Sequence, residues 1–190
     1  MVTFYEMEGF GQWPKYASII GEAPSKNSDW RYPLAGGHTG KKIEKLLGLS
    51  FRDYLKYYRR FDLIKFYPGT RWPKENASGN ARIIRDLHEP GAHLVLLGRK
   101  VAEAFGAGDL EFCEYDVRDG VTYWVSPHPS GLNRWWQDPK NHDRGLDFWE
   151  WISQARPTPQ NHSRNVQKLL CWLRTQGMVP TPCFHKPEET

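Results

Sequence analysis

Cysteine is scarce in this chain, with Cys113, Cys171 and Cys183 its only three. An odd number without close spacing argues against a disulfide framework, a zinc ribbon or a four-cysteine iron–sulfur cluster. It fits a reducing compartment, and a cytoplasmic protein is expected. Long apolar runs are also missing, so no membrane span is expected. The first residues, MVTFYEMEGFGQW, contain acidic side chains and no extended apolar stretch, so no secretory signal is expected. No internal repeat and no low-complexity block is visible. The GxxxxGK[ST] spacing of a nucleotide-binding loop is missing too. Neither charge sign dominates: 26 basic and 22 acidic residues leave a formal charge of +4. That balance permits a nucleic-acid partner without demanding one, and it suits simple solubility equally well.

Aromatic residues are plentiful, with nine Trp and nine Tyr in 190 positions. Several stand beside charge, as in DWRY (29–32) and TRW (70–72). Such pairs stack on bases or cover a small core, and composition alone does not choose between these uses. Short apolar runs occur at Tyr16–Gly21, Phe61–Phe66, His93–Gly98 and Val121–Val125, each closed by turn formers. Between them, helical spacing predicts helices over Thr39–Leu47, Phe51–Tyr58, Asn76–His88 and Arg99–Phe105, then Leu146–Ile152 and Val166–Leu173. In the third of these, Ile83, Ile84 and Leu87 share one side. This alternation predicts a three-layer α/β/α sandwich around a four-stranded parallel sheet. A small extra strand is expected over Phe112–Val117, before the turn at Asp119–Gly120. One domain is expected over residues 1–176, with a surface connection at Arg156–Gln160 and a polar, Pro-rich tail over 177–190.

Ligands in such a fold bind beyond the carboxyl ends of the strands. The segments there are Gly21–Ser25, Lys65–Trp72, Gly98–Lys100 and Ser126–Trp136. Glu22 is the first carboxylate past an apolar strand; it serves as a helix cap, a solvated charge, or a group that orients water. Tyr32–Gly40 is a Gly-rich loop that opens a helix near His38, either as a plain turn or as a phosphate seat. Asp62 lies in an apolar run, where an unpaired carboxylate is costly. It pairs with Lys65 or a helix residue, or it points into a pocket. His128 stands between Pro127 and Pro129, either structural or a preorganised donor. Gly131 then turns the chain and leaves Leu132 at the tip, a wedge suited to a base stack.

Together these segments resemble the uracil-DNA glycosylase superfamily. Gly21-Glu22-Ala23-Pro24 resembles the first motif of its iron–sulfur-bearing GEAPG branch. His128-Pro129-Ser130 resembles the second motif, and Gly131-Leu132-Asn133-Arg134 is similar to the NPSGLSR of the mismatch-specific branch. Tyr32-Pro33-Leu34-Ala35-Gly36 resembles RPFVG. Asp62-Leu63-Ile64-Lys65 resembles NVVK, followed by Pro68 and Arg71-Trp72-Pro73. Leu96-Leu97-Gly98 with Ala102 and Phe105 resembles the LLG-helix segment. The resemblance spans roughly residues 15 to 173.

The resemblance implies a DNA glycosylase and the same four-stranded α/β/α domain. Glu22 then matches the carboxylate that positions or activates water, and His128 the group that stabilises the departing base. Ser130 matches a phosphate contact, and Leu132 the residue that fills the gap left by the flipped nucleotide. Asn133, Arg134, Arg71 and His38 complete the expected DNA contacts. DNA is the expected partner; no cofactor, metal or obligate protein partner is implied.

Departures from the family pattern point to the substrate. The cluster cysteines are missing. Leu34 replaces the aromatic that stacks on the base, and Ser25 replaces a Tyr that excludes the thymine methyl. Asp62 stands where the Asn that reads uracil would be. A carboxylate only accepts hydrogen bonds when ionised, and the 4-amino group of cytosine is a matching donor. The expected base is therefore a modified cytosine, hydroxymethylated or glycosylated, with a defence role against viral DNA as a consequence. The alternatives are a conventional uracil or mismatched-thymine glycosylase and a non-catalytic DNA-binding member.

Overall fold

The computed structural model describes residues 17–26, 32–69, 71–88 and 90–154. The helix expected over 166–173, the connection at 156–160 and the tail at 177–190 lie outside the described residues. The chain divides into two units, residues 1–153 and 154–190, and the elements below belong to the first apart from the last residue of the final helix.

The strands β1 (Ala17–Gly21), β2 (Tyr58–Asp62), β3 (His93–Leu97), β4 (Glu114–Arg118) and β5 (Val121–Ser126) form one sheet of order β2-β1-β3-β5-β4. The four expected runs become β1, β2, β3 and β5, and these pair in parallel. The small extra strand is β4, antiparallel to β5 at the edge, so the sheet has five strands rather than four. Asp119 (φ 50°) and Gly120 (φ 76°) join β4 to β5 with two positive φ angles, the requirement of a tight hairpin turn.

β1 and β3 are buried along nearly their whole length because helices cover both faces, which is why they read as unbroken apolar runs. The second run behaves differently. β2 is an edge strand and carries Arg59 and Arg60, so it begins at Tyr58, three residues before the apolar run, and stops at Asp62. Leu63, buried to 1% exposure, belongs to the bend beyond the strand and packs into the core from there.

Helices α1 (His38–Leu47), α2 (Phe51–Tyr57) and α5 (Pro139–Gln154) supply one apolar layer, where Ile43, Tyr54 and Trp149 meet Ile19, Val95 and Trp124 of the sheet. Helices α3 (Lys74–Asp86) and α4 (Arg99–Ala104) supply the other, where Ala81, Ile84 and Val101 meet Ile20, Leu96 and Val125. The buried stripe of α3 is Ala77, Ala81 and Ile84. Ile83 and Leu87, expected on the inner face, are exposed because small alanines let the helix lie close to the sheet. α5 starts at Pro139, well before Leu146; a proline fits the first helical turn, where its missing N–H has no partner to lose.

Register carries the functional consequence. Gly21 pairs with Asp62, Ile20 with Leu96, and Leu97 with Ser126, so the strand ends align along one edge.

One buried polar link crosses from sheet to helix. His88 Nδ1 lies 2.6 Å from the Ile84 carbonyl and must donate there, leaving Nε2 to accept the Ser18 hydroxyl at 2.6 Å. Burial holds its pKa below the ordinary histidine value; the Ile84 bond opposes this, while Arg59 and Arg85 add to it. The unfolded chain therefore binds this proton more readily than the fold does. The stability from neutral His88 is complete above the ordinary value of about 6.5 and is lost as pH falls through the lower folded value. Urea unfolding at pH 7.5 and 5.0 should show a larger loss of stability in the wild type than in His88→Leu, which should start about 1–3 kcal/mol less stable at pH 7.5.

Candidate active site at the carboxyl edge of the sheet

The first loop leaves β1 at Gly21 and is stapled to the chain beyond β2. Leu63 N–H donates to the Gly21 carbonyl and Ile64 N–H to the Glu22 carbonyl, each at 3.0 Å. These bonds extend the β1–β2 ladder past the strands and fix the backbone of Glu22. Its carboxylate Oε2 accepts from Lys100 Nζ at 3.1 Å. Lys100 comes from the first turn of α4 and also lies over the Trp72 ring, 5.3 Å from its centroid.

His128 reaches the same place from the loop after β5. Gly98, at the end of β3, sits between the two side chains. A β-carbon built there would lie 3.3 Å from His128 Cβ and 3.5 Å from Glu22 Oε1. Its φ of 93° is also poorly suited to any L side chain. The Ser130 N–H donates to His128 Nδ1 at 3.2 Å, so the neutral imidazole carries its proton on Nε2. Burial lowers the His128 pKa, opposed by the Glu22 charge and reinforced by Lys100. The imidazole is thus kept as a neutral donor beside an ion-paired carboxylate.

The turn behind His128 is braced. Asn133 Nδ2 and Trp136 Nε1 both donate to the His128 carbonyl, at 3.0 and 3.1 Å. The other end of the Asn133 amide accepts the Trp135 N–H at 3.1 Å and caps the short 3₁₀ helix Arg134–Gln137. Asn133, expected as a DNA contact, therefore has both ends of its amide engaged within the loop. Trp136 lies against Gly145 of α5 so closely that a β-carbon there would strike the indole. Lys42 of α1 stands 4.6 Å from the same ring system. Leu132 projects from this braced turn at 92% exposure, as a wedge requires. Ser130 is half-buried and Arg134 exposed.

A third wall comes from Asp62 and Leu34. A β-carbon on Gly21 would lie 2.5 Å from Asp62 Oδ1 and 2.9 Å from Leu34 Cδ2, so the glycine makes room for both. Leu34 adopts a left-handed φ of 53°. The Tyr54 hydroxyl holds its carbonyl at 3.1 Å, and Gly40 packs beneath that carbonyl. Asp62 Oδ1 is buried and makes no hydrogen bond. Burial raises the Asp62 pKa to about 7. Ser25, Arg71 and His38 are exposed.

The structure thus brings together Glu22, His128, Asp62 and Leu34. Lys100, Tyr54 and Trp136 were missed as site residues from sequence. Lys100 and Trp136 fall within the segments Gly98–Lys100 and Ser126–Trp136 expected at the ligand edge, without a role of their own, and Tyr54 lies within an expected helix with no further signal. Cys113 has its thiol pushed up to about 11, mainly by burial, so it offers no thiolate near neutrality. Among the described residues no group of His, Cys, Asp or Glu is placed to hold a metal ion.

The family model of the uracil DNA glycosylase superfamily matches residues 10–153, about three quarters of the chain. No curated protein sequence matches the chain.

The charges around His128 make opposite demands that can be read in the protein without DNA. Lys100→Gln removes a cation that lowers the His128 pKa, so the pKa should rise; Glu22→Gln should lower it. Titration of the imidazole C–H signals by NMR measures both shifts, and equal values in all three proteins would contradict the electrostatic coupling. Independently, Gly145→Ala should cost about 1–3 kcal/mol in denaturant unfolding, because the Trp136 indole must move.

Proposed function

The chain belongs to the uracil DNA glycosylase superfamily; on that premise we propose that it is a DNA glycosylase hydrolysing the N-glycosidic bond of a flipped, modified cytosine. The observation that carries the catalytic reading is the meeting of Glu22 and His128 across Gly98. The base is drawn out of the helix, and Leu132 fills the space it leaves. As the bond to the base stretches, the sugar gains oxocarbenium-like positive charge. Glu22, fixed by its backbone staple and by Lys100, stabilises that charge and aligns a water. His128 donates its Nε2 proton in a hydrogen bond to the leaving base, whose developing negative charge a preorganised donor stabilises. Its depressed pKa keeps the imidazole neutral further into the acid range than an ordinary histidine. The neighbouring Glu22 offsets part of that depression.

Support for the substrate comes from the Asp62 wall. Asp62 Oδ1 packs over Gly21 beside an aliphatic Leu34 and has no protein partner, so a hydrogen-bonding group on the ligand would complete it. The 4-amino group of cytosine is such a donor. Leu34 and Ser25 are both smaller than the aromatic residues of the family pattern, which leaves room for a hydroxymethyl or glycosylated substituent. Modified cytosines of this kind mark viral DNA, and a defence role in the cytoplasm follows from that substrate. A conventional uracil enzyme is the second reading, favoured by one observation: with a pKa of about 7, Asp62 is partly protonated near neutrality and can then also donate.

Base release measured over a panel of oligonucleotides separates these readings. Substrates with hydroxymethylated or glycosylated cytosine should yield abasic sites while uracil substrates yield few. Glu22→Gln and His128→Gln should each slow release on the order of a hundredfold with the unfolding midpoint little changed. Efficient release of uracil alone would reverse the substrate assignment, and full activity in both variants would reverse the catalytic one.

A further inference from the structure

Resting on the glycosylase reading above, we propose that Phe66 and Tyr67 form a stacking platform for an unpaired base beside the flipped nucleotide, which makes single-stranded DNA the preferred form of the substrate.

The pair stands out by its exposure. Phe66 is 61% exposed and Tyr67 53%, and among the described residues no other two consecutive large apolar side chains are both exposed. Neither joins either core cluster, whereas Trp72, a few residues on, packs against the core. Of the aromatics that stand beside charge in this stretch, one therefore covers the core and two face outward. Pro68 fixes a backbone dihedral directly after them, and Gly69 turns the chain with a φ of 66°.

Two contacts place this turn at the rim of the site. Ile64 N–H donates to the Glu22 carbonyl at 3.0 Å. Lys100 Nζ lies 5.3 Å from the Trp72 ring centroid and 3.1 Å from Glu22 Oε2. The stretches 63–69 and 71–73 are thus both tied to the residue assigned to the sugar. Phe66 and Tyr67 follow Ile64 by two and three residues, so their backbones lie within about 7 and 11 Å of it. A nucleotide adjoining the flipped one falls within that reach.

Charge in this stretch suits a nucleic-acid strand. Residues 63–74 include Lys65, Arg71 and Lys74 and no acidic side chain. Lys65 Nζ stands 5.3 Å from the Phe66 ring centroid, so one point offers a cation for a phosphate and a ring for a base. Basic surfaces interleaved with aromatic rings hold single strands well, because every base has a π face.

The strand preference follows from which base faces are open. In a duplex each base is covered on both faces, and flipping one nucleotide opens a single gap. Leu132, 92% exposed on the loop after β5, is the group that enters that gap. Two further rings on a different loop then find no open face. In a single strand the neighbouring base leaves its stack at small cost and lies on them.

The test measures equilibrium affinity in the Glu22→Gln background, where slowed release leaves the oligonucleotide intact. The probe is one oligonucleotide carrying 5-hydroxymethylcytosine, used alone and annealed to its complement. The parent should bind the single strand about tenfold more tightly than the duplex. Phe66→Ala/Tyr67→Ala should erase that difference, weakening single-strand binding roughly tenfold or more and duplex binding less than about twofold. Phe66→Tyr/Tyr67→Phe, which keeps both rings, should retain the parent's preference. The salt dependence of single-strand affinity should keep its slope in the alanine variant, because that slope counts phosphates rather than stacked bases. Tighter binding of the duplex by the parent, an equal loss on both forms, no loss, or a changed salt slope overturns the proposal. Base release by the wild type is followed on both forms in parallel. Release from neither retires the glycosylase reading, and the binding comparison still decides the platform. Failure to bind either form overturns it.

Discussion

Two positions without side chains make the site possible. Gly21 leaves space that the Asp62 carboxyl and Leu34 occupy, and Gly98 leaves space that Glu22 and His128 share. Gly21 ends β1 and Gly98 follows the last residue of β3, both central parallel strands, so the sheet delivers two gaps side by side at one edge. A methyl group on Gly21 would collide with the Asp62 carboxyl and Leu34, and one on Gly98 would crowd His128 on a backbone whose φ of 93° disfavours any side chain. The rest of the fold serves this constraint. Buried β1 and β3 fix where the gaps lie, and the loops after β2 and β5 bring the functional side chains over them.

The parallel layout was legible in the sequence because strands covered on both faces leave continuous apolar runs. Legibility failed where one face or edge lay open. β2 carries Arg59 and Arg60 and was displaced by three residues toward the apolar Leu63 and Ile64, which lie past its end. That slip matters, since it moved Asp62 from the interior of a run to the last strand position. In α3, the bulky Ile83 and Leu87 outweighed Ala77 and Ala81, although close helix–sheet packing selects the small residues. In the candidate site, Glu22, His128 and Leu132 were expected from loop composition and family resemblance. Lys100, Tyr54 and Trp136 were not, because each acts through a contact between segments distant in sequence. Pattern within one segment does not encode such contacts.

In the loop after β5 most polar groups are committed within the loop itself. Among the described residues no hydrogen bond engages His128 Nε2, and the Leu132 side chain is exposed. Asn133, Trp136 and the Ser130 N–H are spent on holding them. Two donors on one carbonyl, with an indole seated on Gly145, tie the loop to α5, while Lys42 ties the same indole to α1. The histidine is thereby fixed in tautomer and in direction before DNA arrives. Preorganisation of this kind lets a neutral donor act on a departing anion without reorganisation at the moment of reaction.

The two carboxyl groups of the site are separated by environment rather than by type. Glu22 has a cation 3.1 Å away and a side-chain exposure of 29%. Asp62 has no ion pair among the described residues, and its Oδ1 is buried without a hydrogen-bond partner. An ion-paired, partly exposed carboxylate suits the stabilisation of a positive sugar. Burial instead raises the Asp62 pKa to about 7. Paired titratable groups with divergent surroundings commonly mark a division of labour. On the proposed reading the division follows the sheet: Glu22 and His128 stand at the β1, β3 and β5 ends and Asp62 at the β1–β2 edge, with Gly21 next to both groups.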